Sequence, residues 1–354
     1  MASHRGTVLV TGASGFIATH IVDQFLQAGY NVRGTVRSQG TADKVRETFP
    51  EYKDQLELVV IPDIIAPHAL DEAVRDVIGV IHTASPFVLH VDDNERDLLR
   101  PAIDGTVNVL QSASNYAPKL ERVVITSSFT AIRDPTKGMR PGYTYDETDW
   151  NPSTYEEAAK KDTSGSFAYA ASKALAEKAA WDFIATNKPP FDLATICPPM
   201  VYGPNKNATV DLQKLNTSSE HIYNLIRPES KPSDPMPQNA SWSWVDVRDV
   251  ALAHLRAFEV PQAGGHRFLM CRGNFSFQQM ADILREKIPQ VSNRVPIGAP
   301  GSGLGDVQLY NPDASKAKRI LSIAFRNLDE TVVDAALSLL EIENTTKSAT
   351  DRRA

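Results

Sequence analysis

VLVTGASGFIATHIVDQFLQAG, from Val8 to Gly29, is the stretch on which the fold turns. Val8-Leu9-Val10 is an apolar run of strand length. Ile21, Val22, Phe25 and Leu26 recur as one face of a helix, and Gly29 stands where that helix should stop. Between them lies TGASGFIA, residues 11–18, so the order is strand, glycine turn, helix. In that geometry the backbone N–H groups of a helix N-terminus meet a diphosphate. The glycines stand at 12 and 15 with Ala18 in the third place, a G-x-x-G-x-x-A spacing whose small third residue lets helix and strand lie close. Gly12, Ser14, Gly15, Phe16 and Ile17 are therefore expected to cradle the phosphates of a dinucleotide.

The segments that follow repeat the alternation. Asn31–Arg37 (NVRGTVR) reads as a second strand, 56–61 (LELVVI) as a third, 77–82 (VIGVIH) as a fourth, Arg122–Thr126 as a fifth and 191–197 (FDLATIC) as a sixth. Ile103, Val107 and Leu110 mark a helix with Pro101 in its first turn, and a second helix is expected over 166–187. Strands alternating with helices argue a Rossmann-type, doubly wound parallel α/β sheet. Beyond 200 the regularity loosens. Residues 227–241 are proline-rich and read as a surface loop, and Gly301-Ser-Gly303-Leu-Gly305 as a loop too, since it follows no strand and opens no helix. Short strands are expected over 242–245 and 266–270, and helices over 247–258, 276–288 and 328–342. The expected division is a cofactor domain over 1–200 to which 242–270 returns elements, a smaller C-terminal substrate-binding lobe of 201–241 and 271–343, and a disordered tail over 344–354.

Ligands of such a sheet sit at the carboxyl ends of the strands. These positions hold Arg37 with Lys44 shortly after it, Asp63-Ile64, Thr83-Ala84-Ser85, Ser127-Ser128 and Pro198. An acid near the end of the second strand would bond the ribose of NAD; Arg37 stands there instead, and a guanidinium suits a 2′-phosphate. The expected cofactor is NADPH. Tyr169 and Lys173 lie four apart on one helix, hence on one face. A lysine ammonium should favour the phenolate of a tyrosine whose ordinary pKa is near 10, giving an acid/base for an oxygen atom. Ser128, or Ser127, can share the charge on that oxygen. His82 reads as a packed strand residue. Phe87, Phe129, Met200 and Tyr202 follow the catalytic edge and are expected to form an apolar wall, suited to an uncharged carbonyl compound.

The combination resembles the extended short-chain dehydrogenases/reductases, in particular the dihydroflavonol-reductase-like branch and its fungal NADPH-dependent aldehyde, ketone and methylglyoxal reductases. The matching pieces are TGASGFIA at 11–18, RGTVR at 33–37, HTASPF at 82–87, ERVVITSS at 121–128, YAASK at 169–173 and WVDVRDVA at 244–251. The resemblance implies carbonyl reduction by hydride from the pro-S face of NADPH. It assigns Tyr169 as proton donor, Lys173 to ribose binding and to lowering the tyrosine pKa, and Ser128 to the substrate oxygen. It also assigns Arg37 to the 2′-phosphate, Asp63 to the adenine and the segment from Pro198 to the carboxamide. Ala18 replaces a glycine of many plant relatives, and Cys197-Pro198-Pro199-Met200 departs from their residues.

Composition bounds the alternatives. The 354 residues are 42% apolar and 23% charged, with a net charge of −6, which gives no electrostatic case for nucleic acid or an anionic membrane surface. There is no run of about 18 apolar residues, and the first strand leaves no room for a leader, so a cytoplasmic protein is expected, monomer or homodimer. Cys197 and Cys271 lack metal-ligand spacing and read as core thiols; no metal site is expected. Two other functions share parts of the pattern. A sugar-nucleotide epimerase or dehydratase also uses the tyrosine and lysine, and a non-enzymatic NADP(H)-binding redox sensor shares the fold but needs neither.

Overall fold

A computed structural model describes residues 5–85, 91–208 and 210–351. The chain runs β1 (Thr7–Thr11), α1 (Phe16–Gln27), β2 (Asn31–Val36), α2 (Gln39–Thr48), β3 (Leu56–Val60), β4 (Gly79–His82), α3 (Arg100–Tyr116), β5 (Arg122–Thr126), β6 (Thr144–Tyr145), α4 (Tyr155–Ala158), α5 (Gly165–Asn187) and β7 (Asp192–Cys197). It continues through β8 (Met200–Tyr202), α6 (Thr217–Ile226), β9 (Ser243–Asp246), α7 (Val247–Glu259), β10 (His266–Leu269), β11 (Gly273–Asn274), α8 (Phe277–Lys287), β12 (Asn311–Pro312), α9 (Ser315–Leu321) and α10 (Leu328–Asp351).

Seven strands form the central sheet in the order β10-β7-β5-β4-β1-β2-β3, and every pairing in it is parallel. The expected doubly wound Rossmann-type sheet is thus present. Helices cover both faces, because the strands are apolar on both sides. On one face Ile21, Val22 and Phe25 of α1 pack with Val250 and Phe258 of α7. On the other, Val109 and Leu110 of α3 pack with Ala180 and Phe183 of α5. The chain winds outward from β1 through β2 to β3, then returns to β4 on the opposite side of β1. The crevice at the carboxyl ends of β1 and β4 is therefore the switch point at which such sheets take ligands.

A smaller sheet, β11-β9-β8, carries a second core in which Tyr202, Ile222, Trp244, Phe275, Met280 and Leu339 pack together. Three sequence expectations change in this region. Residues 243–246 pair with β8 and β11 rather than with the central sheet, which β10 alone rejoins. Ala317, Leu321 and Ile323 join the core of the central sheet, with α9 against α7 and β10, although they fall in the stretch assigned to the lobe. The last helix continues to Asp351 rather than stopping at 342, so 344–351 are helical and not a disordered tail. No glycine or proline interrupts that stretch, and the Thr345 hydroxyl donates back to the Glu341 carbonyl at 2.8 Å. Helices α2, α6 and α9 had not been read from the sequence, whereas 301–305 is a loop as expected.

Candidate active site

Register places the site residues on one rim. Thr11 pairs with His82, His82 with Ile125 and Thr126 with Ile196, so Gly12, Thr83, Ser127 and Pro198 leave the sheet close together. Gly12 has φ +68°, and a Cβ there would come within 3.2 Å of the Ala84 Cα. The turn is therefore closed to larger residues. Gly15 precedes α1 without a side-chain cap, which leaves the first-turn N–H groups of Phe16 and Ile17 open toward the crevice. Thr83, Ala84 and Ser85 are partly exposed on the facing side, and Ser14 lies within the turn.

Arg37 and Lys44 are exposed and enter no ion pair among the described residues. Arg33, by contrast, is spent on Glu57 at 2.7 Å and on the carbonyls of Ala73 and Arg75. Asp63 is exposed next to Ile64 and accepts the N–H of Ile65 at 3.0 Å. The Pro198 carbonyl accepts from the N–H of Phe129 at 2.8 Å. An uncapped helix start, a tight glycine turn and an unpartnered arginine at the second strand end fit a dinucleotide carrying an extra phosphate.

Tyr169 and Lys173, the side chains expected to be catalytic, stand on α5. Ala168, Ala171, Ala174 and Ala180 are all buried, and these small residues let the helix lie close to its neighbours. Ser164 caps it, accepting from Phe167 N–H at 3.3 Å. Lys173 is buried and its ammonium lies 5.8 Å from the Tyr169 ring centre. It enters no ion pair among the described residues, and burial pushes its pKa down to about 8. Tyr169 is partly exposed. Burial raises its pKa and a hydrogen bond from Ser128 opposes the rise. In the free protein desolvation is the larger of the two influences. The phenol is protonated at neutral pH.

The two serines part company. Ser128 Oγ accepts from Thr130 N–H at 3.1 Å and from Thr130 Oγ1 at 3.0 Å. With both lone pairs taken, its own proton goes to Tyr169. Ser127 instead donates to Glu177 Oε2 at 2.6 Å. Glu177 stands one turn after Lys173 on α5 and is fully buried. It also accepts from Thr195 at 2.6 Å and from Arg267 Nε at 2.7 Å, and the Trp150 ring lies 3.5 Å from that guanidinium. Burial acts against its charge, but Arg267 and the two hydroxyls outweigh it and hold the carboxyl below the usual range. Sequence reasoning missed this pair. The i+4 spacing from Lys173 was the available signal for Glu177; nothing local marked Arg267.

His82 is buried, as its strand position suggested, and its tautomer follows from its neighbours. Thr11 Oγ1 accepts the N–H groups of Thr83 and Ala84, each at 3.1 Å, so its proton goes to His82 Nδ1 at 2.9 Å. The imidazole keeps its proton on Nε2, and burial with the nearby Lys173 drives its pKa down to about 3.

The expected apolar wall is only partly met. Phe87 lies outside the described residues. Phe129 packs inside an aromatic group with Tyr145 and Tyr310, at ring separations of 5.9 and 5.6 Å. Tyr202 is 1% exposed, with its hydroxyl on His221 Nδ1 at 3.1 Å and its ring against Phe275. Both rings are core members rather than open wall, since each finds aromatic neighbours that the linear sequence keeps far away. Met200 alone of the described three is partly exposed. Cys197 and Cys271 are buried free thiols; burial raises both, Cys271 to about 12. Among the described residues no cluster of metal-binding side chains occurs, and no helix is long and apolar enough to cross a membrane.

The profile of the NAD dependent epimerase/dehydratase family matches residues 8–271. A ketoreductase of Aspergillus niger is 39% identical over 345 residues, 96% of this chain and 99% of its own. The NADPH-dependent methylglyoxal reductase GRE2 of Saccharomyces cerevisiae is 39% identical over 345 residues, 95% of this chain and 99% of its own. The crystal structure of the yeast methylglyoxal/isovaleraldehyde reductase with NADPH superposes with a TM-score of 0.87 at 38% identity, over 96% of this chain and 99% of that one. Its Candida albicans counterpart with NADPH gives 0.88 at 38% identity, over 95% and 99%. The chain belongs to the NAD dependent epimerase/dehydratase family, and within it to the NADPH-dependent carbonyl reductases that these fungal enzymes represent.

Proposed function

We propose that this protein reduces a small aldehyde or ketone with NADPH and that Tyr169 gives the proton to the carbonyl oxygen. The observation that carries the reading is the hydroxyl chain Thr130–Ser128–Tyr169 beside a buried lysine. When bound, the reduced nicotinamide supplies a hydride to the carbonyl carbon. Ser128, whose acceptor sites are filled by Thr130, can only donate, so it suits an oxygen that is gaining negative charge. Tyr169 meets the same oxygen as an acid, because desolvation keeps the phenol protonated until that charge develops. Lys173, buried and outside any described ion pair, fits the ribose hydroxyls and steadies the phenolate left behind. A phenolate is regained as phenol from solvent before the next turnover.

For cofactor retention the reading uses Gly12, Ser14, Gly15, Phe16 and Ile17 at the diphosphate, and Arg37 with Lys44 at the 2′-phosphate. Asp63 and Ile64 serve the adenine side, and Thr83, Ala84, Ser85 and Pro198 the nicotinamide half. Met200 borders the substrate. The acidic net charge of −6 suits a small-molecule enzyme without nucleic-acid or membrane partner, and the reading places it in the cytoplasm as monomer or homodimer. The test is a panel of carbonyl compounds, methylglyoxal among them, assayed by oxidation of NADPH and of NADH. NADPH-dependent turnover with release of oxidised cofactor is expected. Absence of turnover on every carbonyl, or cofactor retained throughout a reaction on a sugar nucleotide, overturns the reading.

A further inference from the structure

The segment Gly203–Ala208 leaves β8 and bridges from the lobe helices α6 and α10 to α1 and α2. Gly203 makes the departure possible. Its φ is +142°, and a Cβ there would come within 2.7 Å of Val247 Cγ1. The segment is then fastened at two ends. On the lobe, the Asn205 N–H donates to Ser338 Oγ of α10 at 3.0 Å, and the Asn205 amide reaches Ser219 Oγ of α6 at 3.3 Å. On the cofactor side, Pro204 O accepts His20 Nε2–H at 2.9 Å, and Lys206 meets Asp23 at 3.1 Å. Asn207 Oδ1 accepts the Thr19 hydroxyl at 2.6 Å, its Nδ2 faces the Ser14 carbonyl at 3.5 Å, and Ala208 N–H donates to Thr48 Oγ1 at 3.0 Å.

Apart from Thr48 at the end of α2, the cofactor-side contacts fall on the glycine turn and the first turns of α1. Thr19 also donates to the Gly15 carbonyl at 2.9 Å, so Asn207 shares the hydroxyl that ties α1 to its own turn. The strap owes little to apolar packing: Pro204 to Asn207 are only partly buried and Ala208 is exposed. Beyond Gly203 an open-sided pocket of about 370 Å³, lined by His20, Asp23, Asn205, Lys206, Arg248 and Arg326, lies between the strap and α7. A segment held by a few polar bonds beside an open pocket opens more readily than a packed one.

We propose that this strap is a brace through which the C-terminal lobe sets the geometry of the cofactor turn, with Asn207 as the positioning residue. A lobe held in place fixes Ser14 and Thr19, and NADPH finds a preorganised turn. The inference rests on NADPH being the cofactor, and its test reads binding without a carbonyl compound, so it stands or falls apart from the reductase reading.

The test compares NADPH dissociation constants by fluorescence titration for the full-length wild type, Asn207→Ala, Ser338→Ala and the double variant. Loss of one or two net hydrogen bonds predicts NADPH binding weakened about 3- to 10-fold by Asn207→Ala. Ser338 lies on α10 and touches the strap only at its lobe end. Its replacement is expected to weaken NADPH about 3-fold, with a double variant no weaker than Asn207→Ala alone, because both cut one brace. A merely structural role for Ser338 would leave the cofactor affinity unmoved. NADPH affinity within 2-fold of wild type in Asn207→Ala overturns the proposal. So does a normal affinity in Ser338→Ala, which reduces Asn207 to a local prop of the turn.

Discussion

Replacing Glu177 by glutamine removes one negative charge from beneath the active site and almost no volume. The carboxylate accepts from Arg267 Nε at 2.7 Å and Nη2 at 3.1 Å, and from Ser127 and Thr195 at 2.6 Å each. Its side chain is 1% exposed and that of Arg267 is 8% exposed, so solvent can replace none of these partners. A glutamine offers one oxygen and turns an N–H₂ toward groups that are themselves donors. Arg267 is left charged and buried, still bonded to the carbonyls of Glu147 and Asp149. Breaking such a pair from one side costs about 3–5 kcal/mol. With an unfolding entropy of roughly 2.1 cal/mol/K per residue, a chain this long should lose about 4–7 °C in Tm. The pH dependence adds a second signature. The folded carboxyl is held below its unfolded value, so its contribution is present above the unfolded pKa of about 4.3 and is lost as pH falls through the folded value. Glu177→Gln should flatten that acid limb. Urea denaturation from neutral to acid pH, beside a calorimetric Tm, reads both effects. A variant melting within about 1 °C of wild type, with the acid limb unchanged, would refute the assignment of this pair as the buried support of the site.

The two serines separate cleanly on this geometry. Ser128→Ala should lower kcat about 10²- to 10³-fold, as loss of an oxyanion donor does. Ser127→Ala, which loses only its bond to Glu177, should cost about 1 kcal/mol in stability and keep kcat within a few-fold; steady-state kinetics and urea melts on both variants check this. Lys173, with its pKa lowered to about 8 in the free protein, should make kcat/KM for NADPH fall as pH rises past about 8, and Lys173→Met should abolish that limb in a pH–rate series. Arg37→Ala should weaken NADPH by the loss of a charge-assisted bond worth about 1.5–3 kcal/mol, roughly 10- to 150-fold, while NADH affinity stays put; paired titrations decide it.

The main sheet was legible because its signals are local. Apolar strands, a glycine turn and polar strand ends fall in order along the chain, and the Tyr169/Lys173 spacing fixes a shared helix face. What the sequence withheld depends on distant partners. Helix α2 buries only Ala42 and Val45, too few to show a helical period. The choice between Ser127 and Ser128 was made by Glu177 and Thr130, neither of which the serines announce. Phe129 and Tyr202 read equally well as wall or core until Tyr310 and Phe275, far along the chain, close around them. The environment of the phenol is likewise set by distant packing. Spacing puts Lys173 on the right face, but it says nothing of the desolvation that raises the phenol.

The central claim is that one phenol hands its proton to the substrate oxygen. Single-turnover oxidation of NADPH by methylglyoxal, followed in wild type and Tyr169→Phe at saturating cofactor, tests it most directly. Hydride transfer should slow about 10²- to 10⁴-fold in the variant, the range expected for loss of a general acid, with NADPH still bound. A Tyr169→Phe protein that binds NADPH and oxidises it at the wild-type rate would contradict the account.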